Sequence, residues 1–88
     1  MFQDNRTLSR YELDEGLGVA FAEYRDSGKE RALTHWEVPL SARGRGTAGR
    51  LMEQVLADAR QNKRQLRALC PYAVAWLQVH PEAGDVLR

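Results

Sequence analysis

Between Val38 and Thr47 the hydrophobic pattern of the chain changes its period, and this change limits the folds open to it. Before the change, apolar residues recur at every second position, as on a pleated strand. After it, Ala48, Leu51, Met52, Val55, Leu56 and Ala59 fall at i, i+3, i+4, i+7, i+8 and i+11, one continuous helical stripe. The junction runs from Pro39 to Gly46 and is dense in glycine and arginine. Gly44, Gly46 and Gly49 let backbone approach a ligand with no Cβ in the way. The first amides of the helix have no intrahelical acceptor and sit at the positive end of its dipole, so they suit a phosphate. Arg43, Arg45 and Arg50 add forked, permanently charged donors. The physical reading is a cradle for a pyrophosphate.

The rest of the chain arranges itself around that loop. Thr7–Leu13 alternates loosely and reads as a first strand, with Leu8, Arg10 and Glu12 on one face and Tyr11 and Leu13 on the other. Gly18–Tyr24 reads as a second strand, with Val19 and Phe21 opposite Ala20, Ala22 and Tyr24. Asp26, Ser27 and Gly28 signal a hairpin into a third strand, Glu30–Val38. A strict period of two puts Ala32, Thr34, Trp36 and Val38 on one face of it, and Leu33, His35 and Glu37 on the other. Pro39, which brings no amide, ends it. The helix then runs from Thr47 to about Asn62, which suits a left-handed stop. Gln65–Leu69 is a short fourth strand, expected parallel to the third through a right-handed crossover. A second helix starts at Cys70 and Pro71 and runs to about His80. It is apolar nearly all round and should be well buried. Ala83–Arg88 is either a last edge strand or a free tail. The order is β-β-β-α-β-α, an α+β class with a mixed, mostly antiparallel sheet and two helices.

Eighty-eight residues make a single domain, 1–88, with a small core. No apolar run approaches the ~20 residues that span a bilayer, and the first residues lack the apolar core of a signal peptide. The single cysteine cannot close an internal disulfide, so a cytoplasmic protein is the natural expectation. Net charge is +1 but uneven: −3 over residues 1–42 and +4 over residues 43–88. A basic second half suits a phosphorylated ligand. Arg60, Lys63, Arg64 and Arg67 raise the alternative of a nucleic-acid binder, but no aromatic platform accompanies them, so no nucleic acid and no membrane partner is expected. A metal is not expected either, since no second His or Cys stands at ligand spacing.

The loop is not a Walker motif, because no Gly-Lys-Ser/Thr occurs. Gly44, Gly46 and Gly49 match the glycine spacing of a dinucleotide fingerprint. The acidic residue required about 20 positions on is missing, however: positions 66 and 68 are Leu and Ala. Arg43, Gly44, Arg45, Gly46, Thr47 and Ala48 instead resemble the acetyl-CoA motif of the Gcn5-related N-acetyltransferases, Arg/Gln-x-x-Gly-x-Gly/Ala. With His35 to Pro39 before it, and Cys70 to Tyr72 and His80 to Glu82 after it, the chain is similar to the small single-domain branch of that superfamily over residues 17–87.

The resemblance implies a minimal acetyltransferase fold, acetyl-CoA as cosubstrate and a primary amine of unknown identity as acceptor. It also implies that the strand end at Glu37 and Val38 holds the pantetheine and acetyl group, with the Val38 amide on the carbonyl. The cofactor set is then Val38, Arg43, Gly44, Arg45, Gly46, Thr47 and Ala48. Glu37 and His35, two apart on one strand, are the candidate bases, directly or through water. Cys70 stands at a strand end beside a helix N-terminus, a position that favours a thiolate. The resemblance points to it as an active-site residue, either an acetylated nucleophile or a neighbour of the CoA sulfur. Larger relatives often place a tyrosine acid in the second helix; here Trp76 and Leu77 occupy that region and Tyr72 is the only phenol on that helix. A CoA-binding module of the same fold without turnover is the alternative.

Overall fold

The computed structural model describes residues 1–88. Five strands form one sheet in sequence order: β1 (Phe2–Asn5), β2 (Arg10–Asp14), β3 (Val19–Ser27), β4 (Glu30–Glu37) and β5 (Gln65–Ala68). The first four are antiparallel neighbours, and β5 lies parallel to β4. Helix α1 (Thr47–Gln61) makes the crossover between β4 and β5, and α2 (Pro71–Val79) follows β5. The α+β class, the mostly antiparallel sheet and the parallel crossover agree with the sequence pattern.

The strand expected over Thr7–Leu13 is in fact a turn and part of a hairpin. Residues 6–9 turn, with Ser9 at φ 52°, and Phe2–Asn5 folds back on β2 with Phe2 opposite Leu13. The order is therefore β-β-β-β-α-β-α. Nothing in Phe2–Asn5 alternates, so only its pairing reveals the strand. Its one apolar side chain, Phe2, stacks on Tyr11 at 5.6 Å.

One face of the sheet builds the core. Tyr11, Leu13, Ala20, Ala22, Tyr24 and Leu33 join Leu51, Met52, Val55, Leu56 and Ala59 of α1 and Ala73 of α2 in a single buried cluster. The opposite face carries Gln3, Glu12, Phe21, Glu23, His35 and Glu37 and has no helix over it.

A bulge in β4 corrects the strict alternation expected there. Glu23 pairs with His35 but Tyr24 pairs with Leu33, which leaves Thr34 as the extra residue. Its hydroxyl donates to the Glu23 carbonyl at 3.3 Å. Leu33 therefore faces the core on one side of the bulge, and Trp36 and Val38 face it on the other. His35 and Glu37 turn to the open face, away from Leu33.

The end of α1 and the burial of α2 also differ from expectation. Asn62 is not left-handed (φ −94°); Lys63 takes that conformation at φ 53°. The Lys63 amide donates to the Arg60 carbonyl and the Arg64 amide to the Ala59 carbonyl, at 3.2 and 2.8 Å, which is a Schellman closure. Helix α2 is less buried than its composition suggests: Ala73 alone is fully inside, and Val79 is 71% exposed. Only one side of α2 meets the sheet, at β4 and β5, so an apolar circumference cannot all be covered. The last residues are not free. The Leu66 and Ala68 amides donate to the Val86 and Arg88 carbonyls at 2.8 and 2.6 Å, and Leu66 bridges Leu87 in parallel.

Candidate functional site

The site begins where β4 and β5 part. Their pairing stops at Leu33 and Ala68, and the amides of Leu69 and Cys70 both donate to the Leu33 carbonyl, at 3.1 and 3.0 Å. The chain then turns into α2. From Thr34 to Glu37 the second edge of β4 has no strand beside it. Trp36 borders this gap and stacks on Tyr72 of α2, with ring centroids 5.0 Å apart. The Trp36 indole nitrogen is shielded from solvent and has no acceptor.

Beyond β4, a single 3-10 turn at Leu40–Ala42 leads into the glycine loop. Gly44 and Gly46 have φ of 77° and 80°, a region that side chains with a Cβ enter only with strain. Gly46 caps α1 and has no side chain to cap it with. The amides of residues 44–49 consequently donate to no protein atom; the first to find one is that of Arg50, on the Gly46 carbonyl at 3.1 Å. Val38, Arg43, Gly44, Gly46, Thr47 and Ala48 line a concavity of about 150 Å³ at this point. Of the seven residues expected to hold the cofactor, Arg45 alone is not on its wall.

The arginines do different work. Arg43 reaches back to the strand end, its Nε donating to the Val38 carbonyl at 2.9 Å and its Nη2 lying 3.4 Å from the Glu37 carboxylate. Arg45 has no acidic partner. Arg50, read from sequence as a free donor, is tied to Glu15 through two hydrogen bonds of 2.6 and 2.9 Å. The Thr47 hydroxyl also donates to Glu15, at 2.9 Å, so the Thr47 side chain points into structure and only its amide serves the loop. Glu15 lies in the turn between β2 and β3. Sequence reasoning missed it because a carboxylate 32 residues before Thr47 leaves no local signal.

The hydrogen bonds from Arg50 and Thr47 hold the Glu15 carboxyl down at about 2 from its ordinary 4.5. A depressed carboxyl stabilises the fold above its unfolded value and loses that contribution as pH falls through the folded one. Stability should therefore decline as pH drops from about 4.5 toward 2. In Glu15→Gln that part of the decline should be absent, as urea unfolding at pH 5 and pH 3 would show.

Of the catalytic candidates, His35 and Glu37 are brought together on the open face, Nε2 lying 3.1 Å from Oε1. Cys70 lies elsewhere, at the apex where β4 and β5 part. It is 2% exposed, and its Sγ accepts the Ala73 amide at 3.4 Å as the cap of α2. Tyr72 is the second residue of α2. Its hydroxyl has no protein partner, and burial, followed by the charge of Cys70, pushes its pKa up. A groove of about 530 Å³ leaves the loop between α1 and α2, passing Gly49, Arg50 and Trp76. His80 also lines it, stacked on Trp76 at 3.9 Å with its Nδ1 donating to the Trp76 carbonyl at 2.9 Å.

The arrangement offers a bent anion with a long neutral arm two surfaces: unsatisfied amides for the charge, and an open strand edge for the arm. The model of the family described as GCN5-related N-acetyl-transferase matches residues 10–86. Among solved structures, the NMR solution structure of a GCN5-like protein from Staphylococcus aureus, itself only provisionally assigned as an N-acetyltransferase, superposes with a TM-score of 0.70. The two are 22% identical, and the match covers 100% of this chain and 87% of the other. No curated protein matches significantly.

Proposed function

We propose that this protein, which belongs to the GCN5-related N-acetyltransferase family, binds acetyl-CoA and transfers its acetyl group to a primary amine. The observation that carries the reading is the run of unpartnered amides at residues 44–49, set where β4 loses its neighbour. Those amides and the α1 dipole would take the pyrophosphate, and Arg45 is the guanidinium left without an acidic partner beside them. The pantetheine would lie along the unpaired edge of β4 as a strand-like guest, with the Val38 amide on the thioester carbonyl.

In the transfer, the nitrogen of a neutral amine attacks the thioester carbon. The proton it sheds goes to a base, the C–S bond breaks, and CoA departs as thiolate or thiol. Glu37 is the proposed base, acting directly or through water, and His35, hydrogen-bonded to it, would relay the proton to solvent. The burial of Cys70 supports direct transfer over an acetyl-cysteine intermediate, because the sulfur is occupied as the cap of α2. Tyr72, stacked on Trp36 beside the gap with its hydroxyl unpartnered, is the proposed acid for the leaving sulfur.

Thiol release from acetyl-CoA in the presence of a panel of primary amines tests this reading. Turnover is expected with at least one amine, and Glu37→Gln should lower kcat by about 100-fold or more while leaving acetyl-CoA affinity unchanged. Tight acetyl-CoA binding with no thiol release for any amine would leave a binding module and remove the transfer.

A further inference from the structure

We propose that the pole of the molecule opposite the glycine loop holds a second anion site, which takes a small ligand bearing several phosphoryl groups. The fifteen residues of α1 separate the two ends by about 22 Å at 1.5 Å per residue. At the far end two adjoining clefts, of about 420 and 280 Å³, share Lys29, Lys63 and Arg64 in their walls. The larger cleft also has Arg60 and a single acid, Asp85.

The charges there are unevenly satisfied. Asp85 is taken by Arg60 in a two-bond pair at 2.9 and 3.0 Å. Lys29 and Lys63 have no acidic partner. Arg64 comes no closer than 3.8 Å to Asp26, which Arg31 already binds, and its Nε is shielded from solvent without an acceptor. Arg67, nearby on β5, is paired with Glu30 at 3.2 Å and stands apart from the set.

A preference for cations at a helix C-terminus accounts for Arg60 and Lys63. It does not account for Lys29, which the hairpin between β3 and β4 delivers from a distant part of the chain, nor for the orphaned guanidinium nitrogen. Lys63 adds a further observation. It occupies the left-handed position of the Schellman closure at φ 53°, where glycine is the strain-free choice. A long cation at a strained position, beside a lysine with no counter-ion and an arginine whose one acid is shared with Arg31, points to an anion between them. No aromatic ring lines either cleft, so stacking cannot hold a base; the recognised chemistry is the phosphoryl group itself.

Inorganic tripolyphosphate is the probe, followed by amide-resolved NMR at about 0.15 M salt, where weak long-range attraction is screened. Saturable shifts are expected at Lys29, Lys63 and Arg64, separable from any at residues 44–49. Lys63→Gly should melt at or above the wild-type temperature, because it removes backbone strain. It should nevertheless bind tripolyphosphate about tenfold more weakly, the effect of one lost charge-assisted contact. Lys29→Ala, at the exposed hairpin tip, should weaken binding similarly. Shifts confined to residues 44–49, or unchanged affinity in both variants, would overturn the site. Tighter binding of a single-stranded oligonucleotide than of tripolyphosphate would overturn the ligand class and assign the clefts to a nucleic-acid backbone.

Discussion

Arg31→Ala is expected to destabilise the protein by about 3–5 kcal/mol, the usual consequence of removing one member of a buried ionic cluster. The Arg31 side chain, on β4, is 3% exposed and draws its partners from β1, β2 and β3. Its guanidinium binds both oxygens of Asp26, at 2.6 and 2.8 Å, and donates to Asp4 at 3.0 Å and to the Tyr11 hydroxyl at 2.9 Å. It also lies over the Tyr24 ring at 3.6 Å. Tyr24 in turn donates to Asp4, and Tyr11 donates to Asp58 of α1. Asp4 ties β1 to Arg31 and Tyr24, whereas the side-chain amides of Gln3 and Asn5 of β1 donate only to Glu12 of the neighbouring β2. Truncation leaves Asp4, whose side chain is 15% exposed, with only the exposed Arg6 at 3.6 Å as counter-ion and opens a void under two aromatic rings. A domain of this size has about twice that stability in total, so the variant should stay folded in water with its urea midpoint roughly halved. Arg31→Met, which refills most of the volume, should recover part of the loss. Urea unfolding followed by circular dichroism checks both; a truncated variant as stable as wild type would show that the cluster contributes no net stability.

How far the sequence revealed this structure depended on how local each feature is. The hairpin at Gly28, the strand before the loop, the helix after it and the parallel return at Gln65 all show themselves in short patterns of period or turn chemistry, and the structure has each of them. Phe2–Asn5 was illegible because one apolar residue carries no period, and its place depends on pairing with β2. The Thr34 bulge was illegible for a different reason: one inserted residue leaves composition unchanged yet reverses every face after it. It matters for the site, since it turns Trp36 toward Tyr72 and leaves His35 and Glu37 together on the open face.

At the loop, the residues expected to cradle a pyrophosphate were legible because glycines and a helix start are adjacent in the chain. What holds them was not. Glu15 and Arg50 meet across 35 residues, and their pairing changes Arg50 from a free donor into a brace for the first turn of α1. Cys70 illustrates the limit of position alone. Its place at the start of a helix suggested an available thiolate, whereas its sulfur is buried and already accepts the amide that such a position exposes.

The most direct test of the account is calorimetric titration of acetyl-CoA into the wild-type protein and into Ala48→Glu. Ala48 is the second residue of α1 and lines the loop concavity with a side chain that has a path to solvent. A carboxylate there is favourable to the helix, by about 0.3–1 kcal/mol, because it faces the positive end of the dipole. It would also occupy the amides proposed for the pyrophosphate and repel its charge. The variant should melt at or above the wild-type temperature and bind acetyl-CoA at least about 100-fold more weakly, roughly 2.7 kcal/mol. A folded Ala48→Glu protein that binds acetyl-CoA as wild type does would contradict the assignment of the pyrophosphate to this loop, and with it the function proposed from the loop.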